Sequence, residues 1–166
     1  YEIAQANILQ RRILESAGYA LIATNNEGLI TAFNPAAEKL IGYRADEMIG
    51  KQTPAVFHLF EEIEARAAEL TEELGRPIVP GFDVFVEKVI DGNTDINNWT
   101  YVRKDRSKVP VRLSVTSLFD EGGKLFGFLG IAYDLTPQLK REQELKEARF
   151  QAEQANEAKS SFLANM

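Results

Sequence analysis

The side chains best suited to chemistry are few in this sequence, and they are scattered. His58 is the sole histidine, cysteine is absent, and the 25 acidic residues form no carboxylate–histidine cluster. A metal centre needs several His, Cys, Asp or Glu side chains at ligand spacing. A nucleophilic enzyme needs a Ser, Cys or Lys paired with a base. Neither pattern is present, and no glycine-rich phosphate loop occurs. No catalytic residue and no metal ligand is therefore assigned. His58 stands at the head of a segment with helical composition. A satisfied or surface histidine is the simple expectation there, and a polar contact at the edge of a pocket the sharper one.

A second group with readable chemistry is Asp134-Leu135-Thr136-Pro137. Thr136 suits the capping position of a helix and Pro137 its first turn, while Asp134 places an acceptor beside the positive helix end.

Composition narrows the rest. The chain has 166 residues, of which 45% are hydrophobic and 27% charged, with a net charge of −6. No basic cluster offers a nucleic-acid surface. Without cysteine, disulfides, thiolate zinc sites and iron–sulfur clusters are excluded, and a reducing compartment is permitted. No window reaches the ~20 apolar residues needed to span a bilayer, so no membrane contact is expected within these residues. The chain begins at Tyr1 without a signal-peptide pattern and reads as a piece of a longer protein. The expected location is cytoplasmic, whether or not that longer protein is anchored in a membrane.

The elements that must position these groups follow from periodicity. Residues 1–16, with Ile3, Ala6, Leu9, Ile13 and Leu14, predict an amphipathic helix. Residues 19–24 and 29–33 predict a hairpin about Asn25-Asn26-Glu27-Gly28. Asn34-Pro35 opens a short helix that stops at Gly42, and residues 45–49 make a further turn. Residues 55–74 are expected to be helical, as is Phe82–Ile90. The period then becomes two, predicting strands at 99–104, 109–119 and 125–134. An α+β fold, a five-stranded antiparallel sheet with helices on one face, is the economical solution.

Beyond Pro137 neither glycine nor proline occurs. Leu145, Ala148, Ala152, Ala155, Lys159, Phe162 and Met166 alternate at spacings of three and four, a coiled-coil seam over about three heptads. Its alanine content makes it weak and easily shifted.

Several segments together resemble a PAS sensory domain: residues 34–43 (NPAAEKLIGY), 47–50 (EMIG), 99–105 (WTYVRKD) and 127–136 (GFLGIAYDLT). The resemblance covers residues 17–137, leaving 1–16 as a flanking helix and 138–166 as a coiled-coil helix. Arg106 departs from the family, which usually has glycine at that turn. Residues 158–166 (AKSSFLANM) are similar to the segment just before the phosphoacceptor box of sensor histidine kinases. In that family Ser-His-Glu would follow, beyond Met166.

The resemblance implies a cupped sheet enclosing a pocket. Strand alternation would then turn Ile22, Thr24, Trp99, Tyr101, Val111, Leu113, Val115, Phe128 and Ala132 inward, with Phe33, Leu40 and Phe57 closing the cup. Such a lining suits a filled core and also a small apolar or aromatic ligand. Non-covalent flavin stacked on Trp99 is a lesser alternative. A flavin adduct lacks its cysteine near Thr53, and haem is disfavoured because His58 is the sole axial candidate. Leu129, Ile131 and Tyr133 would face outward, to be covered by residues 1–16 of the same chain or of a dimer partner. The family relation further implies a homodimer through residues 1–16 and the seam, kinase domains in cis, a response regulator, and a signal passed through Asp134, Thr136 and Pro137. Diguanylate cyclase is an alternative effector, and a ligand-free dimerisation spacer an alternative role.

Overall fold

The computed structural model describes residues 2–166, with side chains from residue 5 onward. Ile3, assigned above to the apolar side of the first helix, lies outside the described side chains. The chain divides into two units, residues 1–134 and 135–166.

In the first unit, α1 (Glu2–Ser16) leads to β1 (Ala20–Thr24) and β2 (Ile30–Phe33). The helices α2 (Pro35–Ile41), α3 (Ala45–Met48), a 3₁₀ turn (Pro54–Phe57), α4 (Phe60–Leu74) and α5 (Asp83–Val86) follow. The strands β3 (Asp95–Val102), β4 (Lys108–Phe119) and β5 (Leu125–Asp134) complete the sheet. Its order is β2-β1-β5-β4-β3, antiparallel throughout. The central strands β1 and β5 thus join the early hairpin to the late meander.

Alternation selects the buried face. Val109, Val111, Leu113 and Val115 of β4 are buried, while the residues between them are half-buried. The close approach of β5 to β1 depends on Gly127, where a Cβ would lie 2.1 Å from the Thr24 carbonyl oxygen. Asn34 ties the hairpin to the first short helix. Its Oδ1 accepts from Leu21 N and Ala37 N, each at 2.9 Å, and its Nδ2 donates to the Tyr19 carbonyl at 3.0 Å. One side chain therefore caps α2 and anchors β1, which explains why the Asn-Pro pair marks this corner. At the β3 edge, Glu62 of α4 accepts from Thr100 N (2.6 Å) and Oγ1 (3.0 Å), so the exposed ladder is closed by a side chain.

Four sequence expectations change. The helix expected over 55–74 is interrupted at His58, whose backbone bridges to Tyr101 instead. Phe82–Ile90 is helical only at Asp83–Val86 and continues as tighter turns, Val89 N donating to the Val86 carbonyl and Gly92 N to that of Val89. The third strand starts at Asp95 rather than Trp99, since Asp95–Asn98 continue the pairing with β4. Finally, within one chain α1 leaves most of its apolar side uncovered, with Leu14 half-buried, which bears on the same-chain alternative alone. Arg11 and Glu15 line the groove over Leu21, Ala23 and Leu129, and Ile8, Leu9 and Ile13 remain exposed.

The Lys104–Ser107 turn solves its missing glycine with a left-handed arginine. Arg106 has φ 75° and is the one described non-glycine residue with positive φ. Asp105 Oδ1 accepts from Ser107 N at 2.9 Å and from Ser107 Oγ at 2.6 Å. These bonds hold the turn and keep the Asp105 carboxyl below its usual range.

The second unit is the helix α6 (Thr136–Ala164), 29 residues long. No described helix is long and apolar enough to cross a membrane.

Candidate functional site

The inner sheet face and the turn before α4 border a cavity of about 30 Å³, lined by Ile22, Thr24, Tyr101, Leu113, Val115 and Phe128, expected from alternation, and by Phe57, expected to close the cup. Phe33, Leu40, Trp99, Val111 and Ala132 do not line it. Phe33 stacks edge-on to Phe57 with centroids 6.4 Å apart, and Trp99 packs against His58 and Phe85. Val111 and Ala132 are fully buried deeper in the core, and Leu40 packs partly buried against it.

The remaining walls are Pro54, His58, Phe82, Phe85 and Gly130. His58 is 5% exposed, neither a surface residue nor a satisfied one. Pro54 begins the 3₁₀ turn and leaves its carbonyl free for the His58 ring four residues on. Nδ1 lies 2.7 Å from that oxygen. A carbonyl can only accept, so Nδ1 carries the proton and Nε2 presents a lone pair. Nε2 has no hydrogen-bond partner among the described residues, and neither does Thr24 Oγ1.

Aromatic rings hold the imidazole in place. Phe57, Phe85, Trp99 and Tyr101 have centroids 5.4, 4.2, 5.2 and 4.8 Å from it. Burial among these rings pushes the His58 pKa down to about 4, despite the opposing bond to Pro54. Burial likewise raises the Tyr101 phenol. Both groups are neutral near pH 7, and the site is an uncharged aromatic box in which His58 Nε2 and Thr24 Oγ1 have no partner among the described residues.

Phe82 forms the outer wall, half-buried, with centroids 6.2 Å from Phe85 and 5.9 Å from Phe128. Its ring rests directly on Gly28, where a Cβ would come within 2.6 Å. The hairpin glycine therefore serves the cavity as well as the turn.

Alternation could not reveal His58, Phe82 or Phe85, because none of them lies on a strand: His58 and Phe82 flank short helices and Phe85 sits in α5. The usable signal was the run of aromatics around Pro54 and Gly81, in a region otherwise read as helix.

The volume of about 30 Å³ is room for one or two waters. It is well below the roughly 300–1,000 Å³ of pockets that enclose drug-sized ligands. In this closed form the box does not accommodate a flavin or haem. Among the described residues no group of His, Cys, Asp or Glu could hold a metal ion.

The expected signalling junction lies at the chain's change of unit. β5 ends at Asp134 and α6 begins at Thr136. Leu135, not Thr136, occupies the capping position, and Pro137 sits in the first turn. Leu145, Ala148, Ala152, Ala155 and Phe162 are all exposed along α6, as are Leu139 and Phe150 on another side of the helix.

Comparison with known proteins gives these features a family. A model of the PAS domain matches residues 16–137. The C4-dicarboxylate transport sensor protein DctS of Rhodobacter capsulatus is 27% identical over 130 residues, covering 76% of this chain and 17% of that protein. The cell-division control histidine kinase PdhS of Brucella ovis is 29% identical over 162 residues, 94% of this chain and 14% of that protein. The chain thus spans less than a fifth of the length of these relatives. The PAS domain of a Colwellia psychrerythraea protein superposes with a TM-score of 0.54 at 21% identity, covering 78% of this chain and 98% of that one. A sensory box histidine kinase/response regulator from Burkholderia thailandensis superposes with a TM-score of 0.52 at 15% identity, covering 85% and 95%. With the sheet order, the buried cup and the matched residues in agreement, the chain belongs to the PAS domain family.

Proposed function

We propose that this chain is the sensory and dimerising input module, cytoplasmic in orientation, of a sensor histidine kinase of simple or hybrid type. It relays a signal through α6 to control autophosphorylation, and the longer protein hands phosphate to a response regulator. The observation that carries this reading is the alignment with a histidine kinase over 162 residues, long enough to include the helix as well as the PAS body. Residues 158–166 support the same destination through their similarity to the segment before a phosphoacceptor box.

In this reading Leu145, Ala148, Ala152, Ala155 and Phe162 form the seam with a second copy, and α1 adds Ile8, Leu9 and Ile13 to the dimer. Movement of β5 reaches α6 through Asp134, Thr136 and Pro137, shifting the population of two helix registers. Single-residue deletions within 138–157 of the longer protein are expected to change autophosphorylation. Unaltered output across the series would overturn the reading.

The small cavity favours a second reading, in which the domain is a dimerisation spacer that binds nothing. Native mass spectrometry of freshly purified protein separates the two, because a retained ligand adds mass.

A further inference from the structure

His58 and Thr24 present an unusual local imbalance. Each is 5% exposed, each lines the cavity, and each holds a polar atom without a partner among the described residues. Leaving such an atom unpaired carries the full desolvation penalty of the group. An apolar filler would have removed that cost at either position, since the surrounding walls are Ile22, Phe57, Phe85, Leu113, Val115 and Phe128.

The chemistry of the missing partner follows from the tautomer. With Nδ1–H committed to the Pro54 carbonyl, Nε2 can only accept. An anion would meet its lone pair and be repelled. A cation would enter a lining that contains no carboxylate. The Thr24 hydroxyl, by contrast, can donate or accept and so completes either side of an O–H or N–H group.

Access is equally local. Among the aromatic walls, Phe57, Phe85, Tyr101 and Phe128 are buried, whereas Phe82 is half-exposed on the irregular segment beside Gly81.

We propose that this cavity binds a small uncharged guest whose O–H or N–H donates to Nε2 of His58, with Thr24 Oγ1 as second contact and Phe82 as the wall that admits it. The inference rests on the sensory reading above and supplies the ligand class for its input.

Phenol is a suitable probe, and benzene matches its shape without a donor. Because His58 is the sole histidine, ¹⁵N-resolved NMR of the imidazole reports on one ring. Phenol is expected to shift the Nε2 resonance saturably and to bind about tenfold more tightly than benzene. Thr24→Val should reduce that preference, His58→Phe should abolish it, and Phe82→Ala should tighten phenol binding. An Nε2 resonance unmoved by phenol in both the natural chain and Phe82→Ala would overturn the proposal, as would equal affinity for phenol and benzene. Kinase output is not read here. Failure of this test leaves the sensory reading standing, and output insensitive to α6 deletions would sink that reading whatever phenol does.

Discussion

The globular unit and the C-terminal helix make their structure in opposite ways. The first buries an aromatic core so closely that about 30 Å³ remains at its centre. The second extends for 29 residues, and every side chain from Thr136 to Ala164 is exposed. A fold of the first kind is secured by its own packing. An isolated helix in water is marginal, and in proteins most helical stability comes from burying one face. The contrast separates a unit secured by its own packing from a helix whose proposed seam would supply what packing it has.

The sharpest way to break this comparison is to truncate one aromatic in each unit. Phe57, fully buried against Phe33, His58 and Tyr101, should cost roughly 3–5 kcal/mol as Phe57→Ala in urea unfolding. Phe162→Ala should change the same transition by less than about 0.5 kcal/mol. Equal losses would mean that the helix is part of one cooperative core.

Acid sharpens it next. The folded His58 pKa of about 4 lies below the ordinary value of 6.5. Above pH 6.5 both folded and unfolded chains hold it neutral, and its contribution is fully retained. Between 6.5 and 4 only the unfolded chain takes the proton, so stability falls as the pH drops and levels off below 4. Between pH 7 and 5 the loss should reach about 2 kcal/mol. The carboxyls of Glu47, Glu73 and Asp105, held below their ordinary values by hydrogen bonds, act mainly below that window. His58→Phe should flatten the pH 7–5 difference, and a slope that survived it would place the titration elsewhere.

The smallest effect concerns the turn at Arg106. A left-handed backbone costs a side chain about 1–2 kcal/mol, of which glycine returns part as chain entropy. Arg106→Gly should therefore raise stability by about 1 kcal/mol. A loss instead would show that the arginine side chain holds the turn.

Much of this architecture was legible in the chain. The strands were readable because Val109, Val111, Leu113 and Val115 alternate, and the corner at α2 because Asn34 and Pro35 have few other uses together. Gly42 and Gly75 ended their helices in left-handed geometry, as glycine does. The centre of the site was not legible. His58 looked like a helix start because Glu61, Glu62 and Ala65 dominate the composition that follows. Its burial depends on pairing with Tyr101, some forty residues away in sequence, and local periodicity carries no trace of that contact. Phe82 was hidden likewise, its partner being the backbone of Gly28 across the fold. The cap at Thr136 was displaced by one residue because the helix reaches back to Leu135.

The absence of cysteine allows the central claim, that α6 is a transmitting seam between two copies, to be tested directly. Single cysteines introduced one at a time from Leu139 to Phe162 can be oxidised and the cross-linked fraction read on a denaturing gel. Maxima are expected at Leu145, Ala148, Ala152, Ala155 and Phe162, with low values between them. A uniform profile, or maxima on the side of Leu139 and Phe150, would contradict that claim.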